Sequence, residues 1–312
     1  MHRAASDPRG ERLAIDPVIA SAAGSKVPFR MADPDLPPTL AGSHRLLVQG
    51  SVRVLVRRDW EAALPVARLL AGAPLEAWGT PVPHALRGRG PVHVLSTPRG
   101  DVVAKRLSRG GVLGALARHG YVDPARPLRE AEAAEALAAR GVLTPPVVAA
   151  RATRSGLLWT LEVATARIRS EGDLLEVLQA RGPVPELAVA TGRTLRRAHD
   201  AGLRHRDLQL KNLLVPAGFP GVGGAADPAD LWLLDLDRCT VGAALGDEER
   251  VRSLARFARS LVKHGLLAWP SSAVRLGLRS YGARPGWPPS RLLAEVQRRA
   301  RRSVALHRWL WN

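Results

Sequence analysis

One cysteine, Cys239, occurs in 312 residues. An internal disulfide is therefore excluded, and the composition fits a reducing compartment. Lysine is almost as scarce: Lys26, Lys105, Lys211 and Lys263 are four among 46 basic residues. Aromatic residues make up 4% of the chain. They are not interleaved with basic ones as on RNA-binding surfaces, and no Cys/His spacing matches a zinc site. No apolar run approaches the roughly 20 residues of a membrane span, and the N-terminus has no apolar core of signal-peptide length. These absences lead us to expect a cytoplasmic protein. What the chain has in excess is positive charge, +18. Such a surplus favours acidic partners, whether nucleic acid, anionic lipid head groups or a phosphorylated substrate; a solvated basic surface is the plain alternative. With no nucleic-acid motif present, lipid or a small molecule ranks first and no nucleic-acid partner is expected.

The densest chemistry lies in His205-Arg206-Asp207-Leu208-Gln209-Leu210-Lys211-Asn212, and further on in the apolar run Leu231-Trp232-Leu233-Leu234 that ends at Asp235. Magnesium-dependent phosphoryl transfer from ATP needs a carboxylate to accept the proton of the attacking hydroxyl. It also needs an amide and a second carboxylate to hold the metal. Asp207, Asn212 and Asp235 are the candidates, in that order. The five-residue step from Asp207 to Asn212 lets a tight loop aim both side chains at one site, with His205 pinning the loop. Leu213-Leu214-Val215 reads as a short strand and residues 231–234 as its hairpin partner, which brings Asn212 and Asp235 together. The His-x-Asp-x4-Asn pattern recurs by chance; the strand pair ending in aspartate is what makes it specific.

An ATP site also needs a cation on the nucleotide phosphates, placed by a strand and oriented by a helix carboxylate. Lys105 ends the strand Val102-Val103-Ala104, and Glu130 lies in a helix expected over 127–140. In an arginine-dominated chain, lysine at this position points to a need for a compact ammonium. Glu132 and Glu135 are rivals, but Glu132 sits about 200° around the helix from Glu130, and Glu135 reads as solvent-facing. In the turn Leu86-Arg87-Gly88-Arg89-Gly90, the amides around Gly88 and Gly90 can cradle phosphates, although an ordinary hairpin turn would look the same. Adenine would be read near Glu162-Val163-Ala164.

Residues 1–40 mix Pro, Gly, Ala and charge without period, as in a disordered tail. A strand pair is expected over 44–58, a short helix over 60–70, and strands over 92–95, 102–105, 147–150 and 157–163. Helices are expected over 127–140, 173–180 and 185–201, from Asp247 as a cap, and over 290–311, with an exposed loop over 216–230. The last helix sets Arg298, Arg299, Arg301, Arg302 and Arg308 beside Trp309, Leu310 and Trp311, a composition suited to an anionic membrane interface. Its stripe of Val296, Ala300 and Val304 suits packing on the protein, which is the favoured reading.

On these residues the chain resembles the bacterial lipopolysaccharide kinase family of the protein-kinase-like superfamily, over roughly residues 85 to 265. The resemblance is carried by Gly88-Arg89-Gly90, by Val103-Ala104-Lys105-Arg106-Leu107-Ser108-Arg109-Gly110-Gly111, by Arg129-Glu130, by the 205–212 loop, and by Leu254-Ala255-Arg256-Phe257-Ala258-Arg259-Ser260-Leu261. Most discriminating is Leu234-Asp235-Leu236-Asp237-Arg238, an Asp-x-Asp-Arg ending in place of Asp-Phe-Gly. The resemblance implies an α+β, two-lobed protein-kinase-like fold. A small antiparallel-sheet N-lobe over 41–165 would bind nucleotide, and a mainly helical C-lobe over 166–312 would carry the catalytic loop and acceptor site. It implies ATP and Mg2+ as cofactors and transfer of the γ-phosphate to a sugar hydroxyl, that of 3-deoxy-D-manno-octulosonic acid (Kdo), on a Kdo-lipid A type glycolipid. The protein would then work peripherally at the cytoplasmic face of the inner membrane. Asp207, Lys105 and Glu130 become the catalytic residues, Gly88, Gly90, Lys105, Asn212 and Asp235 the nucleotide-site residues, and Asn212 with Asp235 the metal ligands. Asp237 and Arg238 are expected to pair and shape the loop, and Arg206 and Lys211 flank it. Leu236 departs from the usual aromatic, and the 216–230 loop is long. Two other readings share parts of the pattern. A soluble kinase of the aminoglycoside or choline type would need an acidic pocket for its cationic acceptor, and an inactive kinase-like scaffold would not need Lys105, Asp207, Asn212 and Asp235 together.

Overall fold

The computed structural model describes residues 30–31, 36–83, 92–108, 120–182, 184–219, 230–266, 271–282 and 288–311. In chain order the first part comprises β1 (Arg30–Met31), α1 (Pro38–Ala41), β2 (His44–Gln49) and β3 (Val52–Arg57). A 3-10 turn (Arg58–Ala63), α2 (Val66–Leu70) and a second 3-10 turn (Leu75–Trp78) lead to β4 (Thr80–Val82). Then follow β5 (Val92–Thr97), β6 (Gly100–Arg106), α3 (Arg126–Ala138), β7 (Val147–Ser155) and β8 (Leu158–Ala166). Among the described residues these strands form one antiparallel sheet in the order β1-β2-β3-β7-β8-β6-β5-β4.

Side chains alternate between the faces of a strand, and both faces of this sheet are covered. Leu55, Leu161 and Val163 pack with Ala131, Ala134 and Leu137 of α3 on one side. Val54, Val56, Val102 and Ala104 pack with Trp60, Leu69 and Trp78 of the 58–78 segment on the other. Double coverage explains why 147–152 is buried at every position instead of alternating. Within this second layer Glu162 is 1% exposed and meets Arg151 at 2.5 Å and Arg106 at 2.9 Å.

The second part is β9 (Ser170–Asp173), α4 (Leu174–Arg181), α5 (Pro185–Asp200), β10 (Leu203–Arg204), β11 (Leu213–Pro216), β12 (Trp232–Leu233) and β13 (Thr240–Val241). The helices α6 (Asp247–Lys263), α7 (Ser271–Tyr281) and α8 (Pro289–Trp311) complete it. Asp173 begins α4 with a capping box: its Oδ1 accepts from the Glu176 N–H at 2.9 Å, and Glu176 Oε2 accepts from the Asp173 N–H at 3.0 Å. Helix α5 delivers the chain to His205 and packs against α7 so closely that a Cβ on Gly192 would lie 2.1 Å from the Gly277 carbonyl oxygen.

Several elements depart from the sequence pattern for local reasons. The helix expected over 60–70 is divided at Pro65, which has no N–H to continue a helical ladder. Ordered chain begins before residue 40, because Leu36 and Leu40 are buried in the core beside α3. Asp247 lies in the first turn of α6, not at its cap; Gly246 takes the cap position and its N–H donates to Glu249 Oε2 at 3.3 Å. Helix α7 is not marked by the patterns above, since Gly277 at its middle weakens the helical signal. In α8, Val296 and Ala300 are buried, as the packing reading requires. The side chains of Val304, Arg308, Trp309, Leu310 and Trp311 lie outside the described residues.

Candidate active site

Lys105 and Glu130 reach the same point from sheet and helix. Strand β6 pairs with β8 so that Lys105 stands opposite Val163, and the buried stripe of α3 runs through Pro127, Glu130, Ala131, Ala134 and Leu137. Lys105 Nζ lies 3.8 Å from Glu130 Oε1 and 3.2 Å from Asp235 Oδ1. The rivals for Glu130 point elsewhere. Glu132 accepts a hydrogen bond from Thr39 Oγ1 at 3.2 Å. Glu135 is paired with Arg57 and partly buried, so it is not the solvent-facing residue expected. Glu130 itself is 4% exposed, and burial pushes its carboxyl above the ordinary carboxylate range against the pull of Lys105. Burial alone would lower the Lys105 amine, but Glu130, Asp235 and Asp237 together hold it above its usual value.

The 205–212 loop is fastened through its backbone. His205 is buried; its Nδ1 accepts from the Asp207 N–H and its Nε2 donates to the Leu234 carbonyl, both at 3.2 Å. That pattern needs a neutral ring, and burial lowers the imidazole's affinity for a second proton. The expected pinning role is thus a hydrogen-bonded bridge from the loop to the residue before Asp235. Asn212 Nδ2 donates to the Asp207 carbonyl at 2.6 Å, which orients the amide and leaves Oδ1 as its acceptor atom. The hairpin forms as the sequence indicates, with Leu213 opposite Leu233 and Leu214 opposite Trp232. The Leu234 N–H donates to the Asn212 carbonyl at 2.8 Å. Strand pairing therefore sets Asn212 and Asp235 at one end of one hairpin.

Asp235 and Arg238 adopt φ of +56° and +60°. Non-glycine residues in this region carry a strain of order 1 kcal/mol or more, and such strain collects at functional sites. Asp237 does not pair with Arg238. Both its oxygens receive the guanidinium of Arg126, one helical turn before Glu130, and Arg126 lies over the ring of Tyr121 at 4.8 Å. Sequence patterns give Arg126 and Tyr121 no role, although the i, i+4 spacing of Arg126 and Glu130 was there to be read. Cys239 is buried behind this turn, which pushes its thiol up to about 12 and leaves it inert at neutral pH.

The residues near which adenine was expected lie inside a strand paired on both edges. Glu162, Val163 and Ala164 stand in the middle of β8, opposite Arg106, Lys105 and Ala104, and the Glu162 carboxylate is held by two arginines under the outer layer. The strand ends at Ala166, and residues 167–169 lead into β9. Gly88 and Gly90, the expected phosphate cradle, lie outside the described residues, as do Arg109, Gly110 and Gly111. Arg206, Lys211 and Arg238 are exposed around the loop.

The model of the lipopolysaccharide kinase (Kdo/WaaP) family matches residues 80–275. The chain belongs to that family. The match contains Lys105, Glu130, the 205–212 loop and the Asp235–Asp237 turn. Among the relatives of this lipopolysaccharide kinase, the 3-deoxy-D-manno-octulosonic acid kinase of Photobacterium profundum is 32% identical over 182 residues, covering 57% of this chain and 72% of that protein. The enzyme of the same name from Vibrio cholerae serotype O1 is 28% identical over 180 residues, covering 56% of this chain and 72% of the relative. The solved structure of WaaP in complex with acyl carrier protein superposes with a TM-score of 0.51 at 24% identity, over 80% of this chain and 98% of that one. The α+β, two-lobed protein-kinase-like fold is thereby established. Family membership makes the chain a phosphotransferase with an alcohol group as acceptor, a sugar kinase that uses ATP.

Proposed function

We propose that this kinase transfers the γ-phosphate of ATP to a sugar hydroxyl, that of Kdo, on a lipid A precursor at the membrane surface. The reading rests on the convergence of Lys105, Glu130 and Asp235 beside the loop that carries Asp207 and Asn212, in a chain whose relatives are named Kdo kinases.

The donor set fits magnesium. Glu130, Asp235 and Asp237 bring three carboxylates against the two cations Lys105 and Arg126, so the cluster can accept more positive charge. Asp235 is 47% exposed and, with Asn212 Oδ1, offers hard oxygen ligands to a cation that usually takes one or two from protein and the rest from phosphate and water. Asn212 and Asp235 would hold magnesium there, and the ion would supply charge neutralisation for the phosphates. Lys105, held by Glu130, would lie against the nucleotide phosphates. Asp207 would orient the acceptor hydroxyl and take its proton as the acceptor oxygen bonds to the γ-phosphorus and the bond to ADP breaks. Positioning and charge neutralisation supply most of the rate in such a site.

The surroundings of the loop favour an anionic acceptor over a cationic one. Arg206, Lys211 and Arg238 are exposed there, and Arg256 Nη1 donates to the His205 carbonyl at 3.4 Å. With labelled ATP and magnesium, label is expected on lipid A precursor bearing one Kdo and not on an aminoglycoside. Nucleotide binding without transfer to the precursor would sink the acceptor assignment and leave the kinase intact.

A surface position is supported by the placement of apolar groups. No helix among the described residues is long and apolar enough to cross a membrane. The large hydrophobic side chains exposed among them, Val122, Leu157 and Leu158, gather at one end of the sheet, where Tyr121 pairs with Trp159. The guanidinium groups of Arg53 and Arg154 lie 5.2 and 6.0 Å from the Trp159 ring. Apolar tips beside arginine and tryptophan suit an anionic interface. The protein is expected to sediment with vesicles containing anionic lipid but not with neutral ones. Replacing Leu157 and Leu158 together by glutamate should weaken this at least tenfold; unchanged sedimentation would remove this edge from the contact.

A further inference from the structure

We propose that Arg126 and Asp237 form a positioning clamp that fixes the metal-binding turn to the helix bearing Glu130, so that the site is assembled before nucleotide arrives. The inference rests on Asp235 being a metal ligand, as argued above, and adds two residues that act through it.

The clamp has three supports. Arg126 and Glu130 are one turn apart on the same face of α3, and each reaches across to the 235–237 turn. Glu130 does so through Lys105 to Asp235, and Arg126 directly to both oxygens of Asp237. The pair is well shielded, at 13% and 17% exposure, and its hydrogen bonds to Asp237 raise the Arg126 guanidinium above its usual value. Tyr121 holds the guanidinium from the other side at 4.8 Å, and is itself tied to β8 by reciprocal backbone bonds with Trp159 of 2.9 and 2.7 Å. The guanidinium therefore has a fixed seat on the sheet.

What the clamp restrains is a turn held in a strained backbone conformation. Asp235 and Arg238 have positive φ without being glycine, and the turn is closed internally from Cys239 alone, whose N–H donates to the Leu236 carbonyl at 3.0 Å and whose thiol makes long contacts of 3.9 Å to the Asp235 and Asp237 carbonyls. A bidentate, shielded contact at Asp237 sets the direction of the backbone two residues from the Asp235 carboxylate. With glycine at 237 no such contact could form.

The test compares Asp237→Asn and Arg126→Lys with the parent protein, reading three quantities: ATP affinity by calorimetry with and without Mg2+, the kcat and KM of transfer, and the thermal midpoint. In the parent, Mg2+ should tighten ATP binding. In Asp237→Asn that tightening should fall at least tenfold and kcat about 100-fold, with metal-free ATP affinity within about twofold and a folded protein by circular dichroism. Arg126→Lys, which keeps the charge but loses the fork, should fall between the two. The exchange Arg126→Asp with Asp237→Arg should recover at least tenfold in kcat over either single charge reversal. Absence of Mg2+ tightening in the parent would overturn the metal assignment, and the clamp with it. Tightening retained in both single variants would overturn the clamp alone. Should Asp237→Asn fail to fold, Arg126→Lys decides: an equal loss of affinity with and without Mg2+ would mark a structural contact and not a positioning one.

Discussion

Asp207→Asn is expected to lower the rate of phosphoryl transfer by about 10² to 10⁴ while leaving ATP affinity within twofold, the range that removal of a positioned proton acceptor produces. The replacement isolates the carboxylate. The loop is held by the Asp207 N–H donating to His205 Nδ1 and by the Asp207 carbonyl accepting from Asn212, and both are backbone groups that asparagine keeps. The Asp207 side chain is exposed and, among the described residues, has no ion-pair partner whose loss would unfold the loop. Asparagine can still orient an acceptor hydroxyl but cannot take its proton. Single-turnover transfer from labelled ATP, with calorimetry of nucleotide binding beside it, separates the two. A rate within tenfold of the parent would show that orientation, and not proton acceptance, is the contribution of residue 207.

His205→Ala would test the same loop by a different route. It would remove the bridge between the Asp207 amide and the Leu234 carbonyl, leaving two backbone groups without partners at the point where loop and hairpin meet. Geometry would fail there before chemistry does, so both Asn212 and Asp235 should lose their places together.

The parts of the site legible in sequence were those set by local spacing. Asp207 and Asn212 share one loop, and the pairing of 213–214 with 232–233 follows from two apolar runs of strand length. Glu130 was separable from Glu132 by helical angle alone, because a turn of 3.6 residues puts them on different faces. What local spacing cannot show is which distant groups an element meets. Glu135 looked solvent-facing until α3 was laid beside Arg57 of β3. Asp237 has an arginine as its neighbour in sequence, yet the positive φ at Arg238 turns the chain there and Arg126, 111 residues away, takes the contact. The outer layer is equally invisible in the sequence. The strand expected to end at Val163 runs on to Ala166, and nothing in the sequence says that residues 58–78 fold back over that face of the sheet and cover Glu162.

That covered carboxylate carries the largest stability effect expected in the protein. Glu162 accepts from Arg151 Nε at 2.7 Å and from Arg106 at 2.9 Å, while Arg151 also donates to the Ala73 carbonyl at 2.6 Å and lies 5.3 Å from the Trp78 ring. Both members of the Arg151–Glu162 pair are nearly inaccessible, at 4% and 1%. Removing one member strands a charge in a site that water cannot reach, and the cost of that is about 3 to 5 kcal/mol. Glu162→Ala should therefore lower the unfolding free energy by that amount in urea titrations. Combining Glu162→Leu with Arg151→Met should restore most of it, because apolar side chains of similar volume suit the surrounding Trp78, Leu69 and Ala164. The two results divide the interaction: the single variant reports the penalty of an orphaned guanidinium, and the double variant reports what the ion pair adds beyond packing. A loss below about 1 kcal/mol in Glu162→Ala would mean that the carbonyls of Leu69 and Ala73 satisfy Arg151 unaided. The outer layer would then be held by its apolar contacts. A large loss that also lowers ATP affinity would tie the layer to the site, since Arg106 follows Lys105 on β6 and shares its pairing with β8.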